Sequence, residues 1–268
     1  MRATIFSVLI FLAASIYNVK ADPSESGNGG FSTVLQKAIT RFNSAYDTWD
    51  KDSFAVVNDQ FSRIVSGWPE SNLPHYWQGV VQFHLVSYTL FGLSEHRDKK
   101  AAKIHVEKAL DALDAALEIK PGDAESLALL GTLTGIKIFL SPLQAPVLGP
   151  RVMSSIKEAL AIDSTSPRVY YLAGVSYYNT PALMGGGVDK GLPYLLKAEN
   201  LYRREAVQPV RPESPRWGRS TCLGFIAKAY VKKKEYDRAR QWYRRALDSN
   251  PYDKMAKMGL RELEKRKK

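Results

Sequence analysis

The segment from Leu223 to Pro251 constrains this chain more than any other. Leu223, Ile226, Ala227 and Tyr230 recur at helical spacing and make one apolar stripe. Lys232-Lys233-Lys234 supplies a turn. Tyr236, Ala239, Tyr243 and Ala246 then mark a second helix, which Pro251 stops. Neither helix can bury its stripe alone, so the two must pair. Ala239 and Ala246 are small enough to let antiparallel axes approach, and the larger side chains fill the space around them.

Looser copies of this unit recur upstream. Phe42, Ala45 and Tyr46 precede Phe54, Val57, Phe61, Ile64 and Pro69. Tyr76, Trp77 and Gly79 precede Ala109, Leu113, Ala116 and Pro121. Leu127, Leu130 and Gly131 precede Val152, Ile156 and Ala159, and Tyr170, Ala173, Gly174 and Tyr177 precede Gly191, Leu195 and Ala198. First-helix segments 75–84 and 169–179 align directly, pairing Tyr76 with Tyr171, Gly79 with Gly174, Val80 with Val175 and Phe83 with Tyr178. No stretch alternates with period two for long enough to propose a sheet. The expected fold is therefore all-α: a solenoid of about five antiparallel helix pairs plus a basic closing helix from Asp253. Residues 31–268 form one superhelical domain, with its clearest repeat at 220–253.

These spacings resemble the tetratricopeptide repeat family over about residues 31–250, a family whose unit is about 34 residues long. The stretch NTPALMGGGVDKGLPYLLKAE (179–199) and Ser214-Pro215-Arg216-Trp217-Gly218 also look like an exported bacterial subset. That subset includes the T component of TRAP transporters, a repeat protein that partners a solute-binding subunit. The resemblance implies a scaffold for protein–protein interaction rather than an enzyme. Enlarged connections interrupt the pattern at Leu93–Lys100, Phe139–Pro150 and Asn179–Gly187, and three prolines within Gln208–Pro215 read as an extended link. Loops of this kind often carry function on a rigid scaffold.

The amino end carries its own signal. Met1-Arg2 precedes an apolar run, Ala3 to Ala14, and a polar stretch ending Val19-Lys20-Ala21. The run falls short of the roughly 20 residues a membrane span needs. A cleavable secretory signal over 1–21, cut after Ala21, is expected, with an uncleaved N-terminal anchor as the alternative. Asp22 to Gly30 reads as a flexible leader, and the protein is expected in the periplasm or secreted. No Cys follows the apolar run, which excludes a bacterial lipid anchor. The single cysteine, Cys222, permits no intramolecular disulfide and reads as a small buried apolar residue.

Charge is unevenly placed. Residues 203–268 hold 20 of the 38 Lys and Arg against 8 of the 27 Asp and Glu, so the positive excess of the whole chain sits in its last quarter. An acidic protein patch or an anionic envelope surface is the expected partner of that region; nucleic acid is not, for an exported chain.

Motifs for chemistry are absent or explained otherwise. His75, His84, His96 and His105 invite a metal reading, but His75 and His84 fall on opposite helix faces at about 100° per residue, and no paired ligand spacing exists. Gly185-Gly186-Gly187 lacks the Lys-Ser/Thr of a phosphate loop and serves a sharp turn, with Asp189 assisting the next helix. No serine sits in a nucleophile elbow. No catalytic, cofactor or metal site is expected.

What remains is a surface. First helices line the concave side of such a stack. That places Tyr76, Val80, Phe83, His84, Tyr171, Val175, Tyr178, Asn179, Lys228 and Lys232 in a groove for a protein or peptide. Its aromatics would take apolar anchors or, for some of them, pack against the neighbouring repeat, and Lys228 and Lys232, one turn apart, would hold a carboxylate. The alternative is a small-molecule-binding or transporter-associated component, with loops 139–150 and 179–187 closing over a ligand.

Overall fold

Eleven α-helices run through the described residues of the computed structural model, which are 28–90, 97–209 and 215–266, and no strand occurs among them. The expected signal sequence (1–21), leader residues 22–27, residues 93–96 of the loop 93–100 (His96 among them) and residues 210–214 of the loop 208–215 lie outside the described residues. Five antiparallel pairs follow in order: α1 (Asn28–Thr48) with α2 (Lys51–Gly67), α3 (Asn72–Leu90) with α4 (Lys99–Ile119), and α5 (Ala124–Leu140) with α6 (Ala145–Ile162). The fourth is α7 (Pro167–Asn179) with α8 (Val188–Ala206), the fifth α9 (Arg219–Lys232) with α10 (Tyr236–Ser249), and α11 (Lys254–Lys265) closes the stack. This is the expected solenoid. One boundary moves: residues 28–30, read as leader, already belong to α1.

Short polar side chains decide where several helices begin. Asp50, Asp98, Asp123, Ser166 and Asp253 each accept a hydrogen bond from the backbone N–H three residues on, capping α2, α4, α5, α7 and α11. Pro167 occupies the first position of α7, where its missing N–H costs nothing.

Within the pairs, the stripe residues read from the sequence are the ones that bury. Phe42, Phe54, Phe61, Trp77, Leu113, Ile156 and Leu195 are fully buried in one core that runs from Leu35 to Ala229. A smaller cluster of Leu223, Ala227, Ala239, Tyr243, Ala246, Ala256 and Leu263 joins α9, α10 and α11. Pairs two and four make their crossing the same way, with a first-helix glycine receiving a second-helix leucine. A Cβ on Gly79 would lie 2.7 Å from Leu113, and one on Gly174 2.7 Å from Leu195. Gly191 is as close but against backbone: its Cβ would stand 2.7 Å from both the Gly174 carbonyl oxygen and the Tyr178 amide nitrogen. Backbone cannot swing aside as a side chain can. Gly191→Ala is expected to lower unfolding free energy by about 1–3 kcal/mol in urea titration. Gly122→Ala, with nothing within 4 Å of its Cβ, should change little.

Two of the expected loops are largely ordered turns. Phe139 and Leu140 end α5, a short 3-10 turn covers Pro142–Gln144, and α6 begins at Ala145 with Pro150 inside it. Between α7 and α8 a second 3-10 turn, Ala182–Met184, is followed by Gly185 and Gly187 at φ 79° and 103°, backbone that favours glycine.

Candidate functional site

The inner face of the stack is filled from within. Trp217, two residues before α9 and 1% exposed, is seated among the first helices. Its ring lies 5.9 Å from Phe83, 5.5 Å from His84 and 6.2 Å from Tyr171, and its Nε1–H donates to the Tyr76 hydroxyl at 2.9 Å. Tyr202 donates to the Trp217 carbonyl at 3.1 Å. Gly218 follows at φ 100°, and a Cβ there would meet the Tyr202 hydroxyl at 2.5 Å, so only glycine lets the link turn into α9. From the other side, the Tyr46 hydroxyl of α1 lies 3.1 Å from Ser220 Oγ and 3.2 Å from Thr221 Oγ1 in α9. The first and fifth pairs thus meet across the inner face.

This corrects the expected groove. Tyr76, Val80, His84 and Tyr171 are 2% exposed or less, and Phe83, Val175 and Tyr178 only 7–8%. Trp217 covers Phe83, His84 and Tyr171, Phe42 and Tyr46 of α1 close on His84, and Tyr178 is covered by Phe225 and the Lys232 side chain, so little of the face that an open stack would leave to a partner remains. His84 stands at the centre of an aromatic box. Phe42, Tyr46, Trp49, Phe54, Phe83 and Trp217 all place their rings 5.0–5.8 Å from its imidazole. Its Nδ1–H donates to the Val80 carbonyl at 2.8 Å, and burial lowers its pKa from 6.5 to about 4, so the ring is neutral.

A buried polar chain runs from this plug across the pairs. Tyr76 donates to Glu125 Oε2 at 2.7 Å, and burial, then the Glu125 charge, raises its pKa. Arg168, 4% exposed, donates to both oxygens of Glu125 at 2.8 and 2.9 Å and to both of Glu205 at 2.5 and 3.1 Å. Ser166 adds a bond to Glu125 at 2.8 Å. On the outer side Glu199, 2% exposed, takes Arg219 at 3.2 Å and Arg245 at 2.7 Å, tying α8 to α9 and α10. Every partner in these sets is satisfied by protein, so they read as fasteners between pairs.

What stays accessible of the expected groove lies on the last turns of α7 and α9. Asn179 is exposed, its amide donating to the Val175 carbonyl at 2.9 Å. Lys232 is exposed, with Nζ 4.0 Å above the Tyr178 ring. Burial raises the Tyr178 pKa to about 12. Lys228 is half-buried, 5.3 Å above Phe225, whose ring meets Tyr178 edge-on at 5.8 Å. Burial lowers the Lys228 pKa, opposed by the charges of Glu262 and Asp253. The structure therefore brings Tyr178, Asn179, Lys228 and Lys232 together with Phe225, which the sequence reading missed.

Two open clefts lie elsewhere. One, of about 710 Å³, runs over α8 and is lined by Lys197, Asn200, Arg203, Arg204 and Arg219. The other, of about 530 Å³, covers the outer edge of the Glu125–Arg168–Glu205 chain. Neither touches the connections 139–150 and 179–187, whose apolar side chains point outward. No group of three or more His, Cys, Asp or Glu side chains among the described residues is placed to hold a metal ion. Cys222 is buried, and burial raises its thiol pKa well above the usual value.

The repeat seen in the fifth pair has a counterpart among known families. Residues 221–253 match the tetratricopeptide repeat model. This stretch is a tetratricopeptide repeat. The fold is similar to that of TTC0263, a thermophilic tetratricopeptide protein from Thermus thermophilus, with a TM-score of 0.60 at 16% identity over 87% of this chain and 98% of that one. It is similar also to the HusA haemophore from Porphyromonas gingivalis, with a TM-score of 0.60 at 22% identity over 77% of this chain and 96% of that one. No curated protein matches the chain.

Tetratricopeptide solenoids use their concave side as an extended binding surface. In this chain part of that side is taken by its own Trp217. The basic last quarter is also partly spoken for. Lys233, Arg238, Arg240 and Arg245 pair with Asp189, Glu235, Asp237 and Glu199. Arg203, Arg204, Arg244, Arg261 and Lys265 form no ion pair among the described residues.

Proposed function

We propose that this protein is an extracytoplasmic scaffold that takes an acidic segment of a protein partner on the strip Tyr178, Asn179, Phe225, Lys228 and Lys232. The observation that carries this reading is the placement of Lys232 over Tyr178. The lysine covers an aromatic face: a carboxylate that draws it aside gains a charge-assisted bond and uncovers a ring for an apolar neighbour. The unpaired arginines and Lys265 give the same chain a further attraction to an anionic envelope surface.

Selection from a random peptide library against the protein lacking residues 1–21 tests the strip. Acidic peptides are expected, and Lys232→Glu should weaken them about 10–100-fold, the worth of a charge-assisted bond. Peptides that bind Lys232→Glu unchanged overturn the assignment. Export is checked in parallel: the protein recovered outside the cytoplasm should begin at Asp22.

A second reading, a small-molecule carrier, is favoured by the shared fold of the haemophore. The outward-facing connections and the filled inner face speak against a ligand enclosed between loops 139–150 and 179–187. Absorbance titration with haem separates the two readings, because saturable binding with no peptide binding would put the carrier first.

A further inference from the structure

The exposed apolar side chains of this chain are gathered at one end. Five of the six most exposed large hydrophobics among the described residues lie at two neighbouring helix junctions: Phe139 in the last turn of α5, Leu143 in the turn after it and Val147 in the first turn of α6, at 63%, 96% and 78%, and Leu183 and Met184 between α7 and α8, at 102% and 67%. Helices α5 and α7 run side by side, with Thr132 Oγ1 3.1 Å from Ser176 Oγ, and both run on to the same end. The α9–α10 turn joins them there. Lys232 lies over Tyr178 in the last turn of α7, and Lys233 reaches Asp189 in the first turn of α8 at 2.6 Å. Lys190 and Lys234 are exposed beside the same turns. Asp189 and Glu235 are the acids facing these cations, and each already holds one.

Scattered surface leucines need no explanation, but a cluster of this kind does. The patch protrudes: two short 3-10 turns carry Leu143, Leu183 and Met184 outward, the leucines almost fully exposed, and the positive-φ glycines at 185 and 187 follow the second turn. A groove for a peptide needs concavity. A lipid interface instead accepts protruding leucines and methionines, with lysines at headgroup level.

We infer that this end docks on the surface of an anionic lipid bilayer. Leu143, Val147, Leu183 and Met184 enter the acyl boundary, while Lys190, Lys233 and Lys234 meet the headgroups. The residues are not those of the peptide strip and not those of the C-terminal tail, so this docking and the peptide reading fail separately.

Co-sedimentation with vesicles of phosphatidylglycerol and phosphatidylcholine tests it, using the chain from Asp22 onward. Binding is expected to the mixed vesicles, to fall with salt, and to be weak on phosphatidylcholine alone. Leu183→Asn/Met184→Asn should lose about tenfold or more in affinity. Lys190→Gln/Lys233→Gln/Lys234→Gln should lose on the order of a hundredfold at low salt, at about fivefold per lysine. All these positions are at the surface, and unchanged circular dichroism verifies the fold. Leu183→Trp adds a direct readout, because entry of the introduced indole into the acyl boundary shifts its emission to the blue when vesicles are added. Tip variants that bind like the parent, or bound Leu183→Trp protein whose added emission does not shift, overturn the inference. Concentration-dependent dimerisation abolished by the tip variant would also overturn it, because the patch would then belong to a second copy of the chain.

Discussion

Trp217→Ala is expected to lower unfolding free energy by about 3–5 kcal/mol, the range for emptying a fully buried large aromatic site. The reason is its position more than its size. Tetratricopeptide stacks are held by contacts between neighbours, so a core truncation in one unit damages mainly that unit and the next. Trp217 is placed differently. It touches Phe83 and His84 in the second pair and Tyr171 in the fourth, and it donates to Tyr76, which in turn donates to Glu125 in the third. Removing it leaves a cavity on the axis and takes from Tyr76 one of its two partners. Urea unfolding followed by circular dichroism should show the midpoint falling for the whole transition, without separation of a C-terminal step. Trp217→Phe, which keeps most of the volume but not the N–H, should cost roughly 0.5–1.5 kcal/mol, the net worth of one hydrogen bond, since Tyr76 keeps Glu125 as a partner. A Trp217→Ala midpoint within error of the parent would mean that the inner face is open in solution and the link lies outside it.

The helix pairs were legible in the sequence because their information is local. A stripe at helical spacing, a small residue at the crossing and a proline or capping Asp at each end all fall within one repeat unit. Phe61, Leu113, Ile156 and Leu195 were assigned to the core on that pattern, and they are fully buried. The inner face was not legible for the converse reason. Whether Tyr76 and Tyr171 line a groove or a core depends on how far the superhelix winds and on what the link at 208–218 does. Trp217 and Tyr76 meet across 141 positions, and Tyr46 and Ser220 across 174. Periodicity carries nothing over such distances. One signal was available: a lone tryptophan, followed by glycine, in a proline-rich link has no helix of its own to pack into, and so must anchor elsewhere. Glu125, Arg168 and Glu205 gave no signal, since in sequence a buried carboxylate looks like a solvated one.

The second large effect is a dependence on pH. His84 is neutral and enclosed by six aromatic rings, and burial holds its pKa at about 4 against 6.5 for a free imidazole. Above pH 6.5 the ring is neutral in both folded and unfolded chains, so it contributes no slope. Between pH 6.5 and pH 4 the unfolded chain takes up a proton that the folded chain refuses, and stability falls as the pH falls. Below about pH 4 both states are protonated and the slope from this group ends. Integrated over that window the loss is about 3 kcal/mol. Other groups titrate in the same range. Burial lowers the pKa of His105 and raises that of Asp253, so the parent curve alone assigns nothing. His84→Phe isolates the term. A phenyl ring keeps the aromatic box filled and cannot be protonated, and the Val80 carbonyl keeps its helical hydrogen bond. Urea midpoints for parent and variant from pH 7.5 to pH 4 should therefore diverge only below about pH 6.5, with the variant gaining up to about 3 kcal/mol relative to the parent. Parallel curves would show that His84 takes up its proton in the folded state as readily as in the unfolded chain, and that the box admits water.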